Sequence, residues 1–149
     1  MDDKFLKGFI AGTMAGIAKM LFNFFSFYIL HFAKDKYLGF FSVIIHGKKP
    51  SSIWMSIFYQ MSEIIFTGML GILFIYIIPK ITSKHLYFKG WLYGAATWFA
   101  IYALGTLFKI PTIYSPPWET IISHFISSSI YGLILAGLIK FWENRDNLI

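Results

Sequence analysis

Apolar positions along this chain gather into four long blocks, about Lys7 to Phe32, Ser51 to Ile78, Leu86 to Phe108 and Trp118 to Phe141, parted by short charged or proline-bearing stretches. As helices, each block is long enough to cross a hydrocarbon core roughly 30 Å thick, which takes about 20 residues. The pattern predicts an all-α fold: a polytopic four-transmembrane-helix bundle forming a single integral membrane domain over residues 1–149. The apolar stretch Leu38 to Ile45 lies among Lys34, Asp35, Lys36, Lys48 and Lys49. Its eight residues would reach only about 12 Å as a helix, so it is expected to be interfacial or re-entrant. Met1-Asp2-Asp3 lacks the basic start of a cleaved signal peptide, and the first block is expected to remain as a span. Pro79-Lys80 and Lys109 with Pro111 read as span exits, and the proline-rich run from Pro111 to Pro117 reads as a stiff, non-helical connection.

Within the blocks, small residues recur at helical spacing. Gly8, Gly12 and Gly16 form one stripe, Gly90 and Gly94 open the third block, and Ser128, Gly132 and Ala136 repeat the device in the fourth. Such stripes let helix backbones approach closely and are ordinary membrane packing. Polar residues follow similar rules. Lys19 continues the first glycine stripe about 18 Å beyond Lys7, near mid-bilayer, and Glu63 lies at the matching depth of an oppositely directed second helix. A lone charge there would be costly, so the two are expected to pair or to be neutralised. The pair either fixes helix register or belongs to a functional path, and the spacing leaves both open. Lys19, Asn23 and Ser26 share one face, as do Ser56, Gln60, Glu63 and Thr67. His124, roughly 9 Å into the fourth block, is followed on its face by Ser127, Ser128 and Tyr131. A lone histidine there is more often a packing residue than a ligand, yet beside a carboxylate it is the side chain suited to titrate near neutrality.

Composition sharpens the picture. The chain is 57% hydrophobic and 13% charged with mean hydropathy +0.63, outside the range of soluble domains with about a quarter charged residues. The absence of cysteine excludes disulfides and thiolate metal sites. The net charge of +6 comes from lysines at span ends, not from a basic run able to bind nucleic acid. Lys4, Lys7, Lys80, Lys84, Lys89, Lys140 and Arg145 make seven cations on the side of the termini, against five on the other, Lys34, Lys36, Lys48, Lys49 and Lys109. The positive-inside bias therefore predicts cytoplasmic termini. Trp54, Trp91, Trp118 and Trp142 lie near the proposed span ends, where amphipathic rings prefer to sit. No HExxH, GxSxG, Walker A or paired acidic motif is present, and His31, His46 and His85 are too scattered to hold a metal. No cofactor is expected.

The order of motifs resembles the YagU/YqhR-type family of bacterial inner-membrane proteins over nearly the whole chain. Gly8-Phe9-Ile10-Ala11-Gly12 followed by Lys19 is similar to the family's opening segment; Pro79-Lys80-Ile81 with Gly90 and Gly94 resembles its second-span exit and third-span start; Pro117-Trp118 resembles its motif before the last span. The family often carries histidine near the place of Glu63 and glutamate near that of His124, so the two residue types look exchanged here. The resemblance implies a four-span fold in the bacterial cytoplasmic membrane, contact between those two sites, and an unknown function, and it transfers no catalytic role. Two functions fit: a small permease, channel or proton-linked transport component lined by Lys19, Glu63 and His124, or a non-catalytic scaffold or accessory subunit of a membrane complex. A lipid-acting enzyme ranks third, for want of a nucleophile and base. The expected partners are the bilayer and, if transport is the role, further copies of the chain or another membrane protein.

Overall fold

A computed structural model describes residues 3–77, 85–110 and 113–146, the side chains at 37, 38, 145 and 146 apart. Among these the fold is all-helical: α1 (Lys4–Tyr28), α2 (Tyr37–His46), α3 (Ile53–Ile77), α4 (Leu86–Leu107) and α5 (Trp118–Asp146). Asp3 caps α1 by accepting from the N–H groups of Phe5 and Leu6, satisfying donors that have no partner within the first turn. Pro79-Lys80, Lys84, Pro111 and Thr112 lie outside the described residues.

Three helices are long and apolar enough to cross a membrane: α1, α3 and α5 over Trp118–Asn144. That is the mark of a membrane protein. The sequence pattern predicts four spans, and α4 is the difference. Its 22 residues would reach about 33 Å, but Lys89, three glycines and the polar-tipped Tyr87, Trp91, Tyr93, Trp98 and Tyr102 hold its hydropathy down.

Glycine sets the helix pairing. Gly8 and Gly12 of α1 face Gly71, Ile72 and Thr67 of α3, and a Cβ on Gly8 would lie 2.9 Å from the Ile72 Cα. Gly90 and Gly94 of α4 face the backbones of Gly132 and Ser128 of α5. In both pairs numbering rises on one helix as it falls on the other, so the helices are antiparallel. The third main contact, α1 with α5, is antiparallel too: Ser26 meets Ser123 at one end, while Ala11 and Ala15 share a core with Leu135, Ala136 and Ile139 towards the other. The start of α1 and the end of α5 thus lie at one end of the molecule.

The expected interfacial segment is a helix, α2, about 15 Å long and so unable to cross. Gly47, in the left-handed region at φ 74°, ends it, a conformation glycine adopts without strain. Phe40, the fully buried aromatic among its described side chains, packs with Ile113, Ile101, Tyr102 and Ile110. This places α2 over the loop end of the bundle, against α3. The flanking loops are tied by Lys49 to Asp35 at 2.6 Å, and by Lys36, which donates to the Tyr28 hydroxyl and lies 4.9 Å from the Phe27 ring centroid.

Candidate functional site

The buried face of α1 reads Gly8, Ala11, Gly12, Ala15, Gly16, Lys19, Asn23, Ser26, steps of three and four that hold one side of a helix. The first five positions are small, and they bring α1 close enough to α3 for the next to meet its partner. Lys19 Nζ lies 3.0 Å from Glu63 Oε1, with the two residues only 5% and 3% exposed. Gln60, one turn earlier on α3, donates from Nε2 to the other carboxylate oxygen at 3.2 Å. Each Glu63 oxygen therefore has a donor, which a desolvated carboxylate requires. Measured along the helices, the pair is about 14 Å from the loop end of α1 and about 15 Å from that of α3, close to mid-membrane depth. Thr67 lies one turn beyond. Its hydroxyl donates to the Ile64 carbonyl at 2.7 Å, and its own carbonyl accepts from the Tyr131 hydroxyl at 2.8 Å, so it joins α3 to α5.

A polar stripe on α5 completes the site on the loop side. Thr120, Ser123, His124, Ser127 and Ser128 are all buried, at the same three-and-four spacing. The Ser26 and Ser123 hydroxyls meet at 2.7 Å, and the Thr120 hydroxyl accepts the Lys34 backbone N–H at 2.9 Å. Ser127 donates to the His124 carbonyl, while Ser128 presents its backbone to Gly94.

His124 is fully buried. Its Nε2 lies 3.2 Å from the Asp35 carbonyl and its Nδ1 2.9 Å from the Tyr102 hydroxyl. A carbonyl only accepts, so Nε2 carries a proton, and in the uncharged ring Nδ1 accepts from Tyr102. The Phe40 ring packs edge-on against the imidazole at 4.8 Å between centroids.

Of the residues singled out from sequence, Lys19, Gln60 and Glu63 form one hydrogen-bonded group, with Asn23 buried one turn away on α1. His124 belongs to a second group, with Tyr102 and Asp35. Glu63 thus bonds Lys19 and Gln60 while His124 bonds Tyr102 and the Asp35 carbonyl, because α2 and the turn before it reach over the bundle end and engage the histidine. Gly8, Gly12, Gly16, Gly90, Gly94 and Gly132 are buried at helix contacts. Three participants escaped the sequence reading. Thr120 and Ser123 lie on the stripe of His124 and were signalled by spacing, whereas Tyr102 sits on another helix and had no such signal.

Among the described residues no three His, Asp or Glu side chains gather to hold a metal. His31, His46 and His85 are exposed, the first two at the loop end and His85 at the start of α4. No protein family, curated protein or solved structure matches this chain.

Proposed function

We propose that the protein is a four-span protein of the bacterial cytoplasmic membrane, with cytoplasmic termini, whose α1–α3–α5 interface is the charge-bearing path of a small permease, channel or proton-linked transport component. The fourth crossing is supported by chain direction. Helices α3 and α5 both run antiparallel to α1, so the chain must return between them, and α4 is the helix that does so, antiparallel to α5. Four spans are also what the resemblance to the YagU/YqhR type implies.

The transport reading is carried by one observation: the buried polar residues are concentrated in the loop-end half of the interface. From Thr120 and Ser26 at the loop end, through Ser123, His124, Asn23 and Gln60, they lead to the Lys19–Glu63 pair at mid-depth. The other half is mainly Ala11, Ala15, Phe74, Ile75, Leu135, Ala136 and Ile139, with the hydroxyls of Thr67 and Tyr131 there both given to backbone carbonyls. A pair needed only for register has no use for a polar approach from one side, whereas a half-channel ending on a titratable pair does. This conformation would be the closed one, with Phe40 of α2 over the entrance.

The test is flux in proteoliposomes carrying a pH-sensitive dye under an imposed potential. Wild-type protein should dissipate the gradient and Glu63→Gln should not; wild-type vesicles as tight as protein-free ones, under both signs of potential, would defeat the reading. The near-complete burial of Lys19 and Glu63 behind backbone-to-backbone glycine contacts favours a second reading, the scaffold or accessory subunit. Under it, flux is absent throughout and the pair matters to stability alone.

A further inference from the structure

A cleft of about 590 Å³ opens on the side of the bundle where α2 and α3 meet the end of α4, within the roughly 300 to 1,000 Å³ of small-molecule sites. Its walls include Phe41 of α2, Ile65, Phe66 and Met69 of α3, Leu104 of α4, and Phe108 just past the end of α4. Ser62 is the one polar side chain among the described lining residues, and its hydroxyl is turned back to the Phe58 carbonyl at 3.0 Å. The cleft extends about 10 Å along α3 from Ser62 to Met69, from near mid-membrane depth towards the inner half of the helix, while its other wall rises along α4 to the loop end. No hydrogen-bonding group fixes an occupant, so the fit is to flexible hydrocarbon.

The rim is different. Lys109 lies in the chain between two lining residues, Phe108 and Ile110, and its backbone is left-handed at φ 49°. Its N–H reaches the Thr106 carbonyl at 3.2 Å, and the Ile110 N–H reaches that of Gly105 at 2.8 Å, a helix ending in which glycine normally takes the left-handed position. A lysine there is strained where glycine would not be. What the chain gains is an exposed cation next in sequence to two residues that line the apolar cleft. Lys34 and Lys48 are exposed at the same end, where the carboxylate of Asp35 is taken up by Lys49.

We propose that the cleft holds one acyl chain of an anionic phospholipid, entering sideways from the bilayer, with the headgroup phosphate over Lys109. The cleft supplies an apolar seat at the depth of a lipid tail, and the lysine supplies the opposite charge at the level of the headgroup. This rests on α4 lying in the bilayer, part of the four-span reading, and is independent of transport; labelling of the two ends of α4 checks that premise separately.

Native mass spectrometry of protein in mild detergent, titrated with dioleoylphosphatidylglycerol or dioleoylphosphatidylcholine, tests it. The wild type should retain one phosphatidylglycerol per chain in preference to phosphatidylcholine. Lys109→Gly relieves the strained backbone and so should fold at least as well, yet the preference should fall about fivefold, the equivalent of the ~1 kcal/mol a basic residue gains at an anionic surface. Met69→Trp, which fills the cleft from an exposed position, should remove the adduct with both lipids while the melting temperature stays near that of the wild type. Equal retention of the two lipids by the wild type, or an undiminished phosphatidylglycerol adduct in Met69→Trp, would overturn the proposal. So would a wild-type dimer that Met69→Trp dissociates, since the occupant would then be a second copy of the chain.

Discussion

Lys19 and Glu63 hold opposite charges 3.0 Å apart where water is excluded. Removing one partner of such a pair typically costs about 3 to 5 kcal/mol, because the other charge is left buried and uncompensated. Lys19→Met and Glu63→Gln should therefore each destabilise the protein, and the double substitution should recover much of the loss. The non-additivity is read from a double-mutant cycle of unfolding in detergent or bicelles; strictly additive effects would show that the pair contributes nothing as a pair. At the packing surfaces the contrast is steric. A Cβ on Gly132 would meet the Gly90 carbonyl group, with its carbon 2.8 Å away, and the Gly94 nitrogen at 3.0 Å, whereas a Cβ on Gly137 would meet only the Tyr87 ring at 3.5 Å. Gly132→Ala should cost about 1 to 3 kcal/mol or separate α4 from α5, and Gly137→Ala should be neutral or stabilising by up to about 1 kcal/mol. The same unfolding assay reads both, and equal effects would remove the distinction. The glycine spacing and the matching depth of the two charges are legible in the chain because a helix turns a linear interval into a face and a height. Which helix faces which is not, because Gly8 and Gly90 look alike until they are docked.

At the scale of elements, α2 is the part whose role changed most on folding. Its length alone says that it does not cross. Its position, with Phe40 against His124 and Tyr102, makes it a cover for the loop end of the polar interface. Phe40→Ala would leave a cavity among Ile113, Tyr102 and His124 and should cost about 3 to 5 kcal/mol, measured by thermal unfolding; a smaller effect would mean that α2 is not docked in the membrane-embedded protein. Since the chain has no cysteine, single cysteines are clean probes. Lys34→Cys and Lys48→Cys, on either side of α2 and both exposed, should react with an impermeant maleimide from the same side of the membrane. Reaction from opposite sides would make α2 a span. Periodicity cannot reveal a cover, since α2 is short and its sequence is mostly apolar in every direction; the docking of Phe40 depends on Ile110 and Ile113, some seventy residues further along.

For the whole molecule, the number of crossings decides the sides of the termini. An even number places them together, so alkaline phosphatase fused after Ile149 should be inactive if the seven-to-five lysine and arginine bias holds the termini in the cytoplasm. Cysteines replacing His85 and Lys109, at the two ends of α4 and both exposed, should label from opposite sides. Labelling from one side would leave three crossings and remove the four-span arrangement. The sequence by itself determined the helical class, the three long apolar helices and the faces on which charged and small residues lie, because hydrophobic length and helical period are local properties written in consecutive residues. Tertiary structure alone decided that Glu63 meets Lys19 and Gln60 while His124 meets Tyr102 and Asp35. Those partners depend on how close two backbones come and which helix lies beside which, and that is settled only when all the faces are buried together.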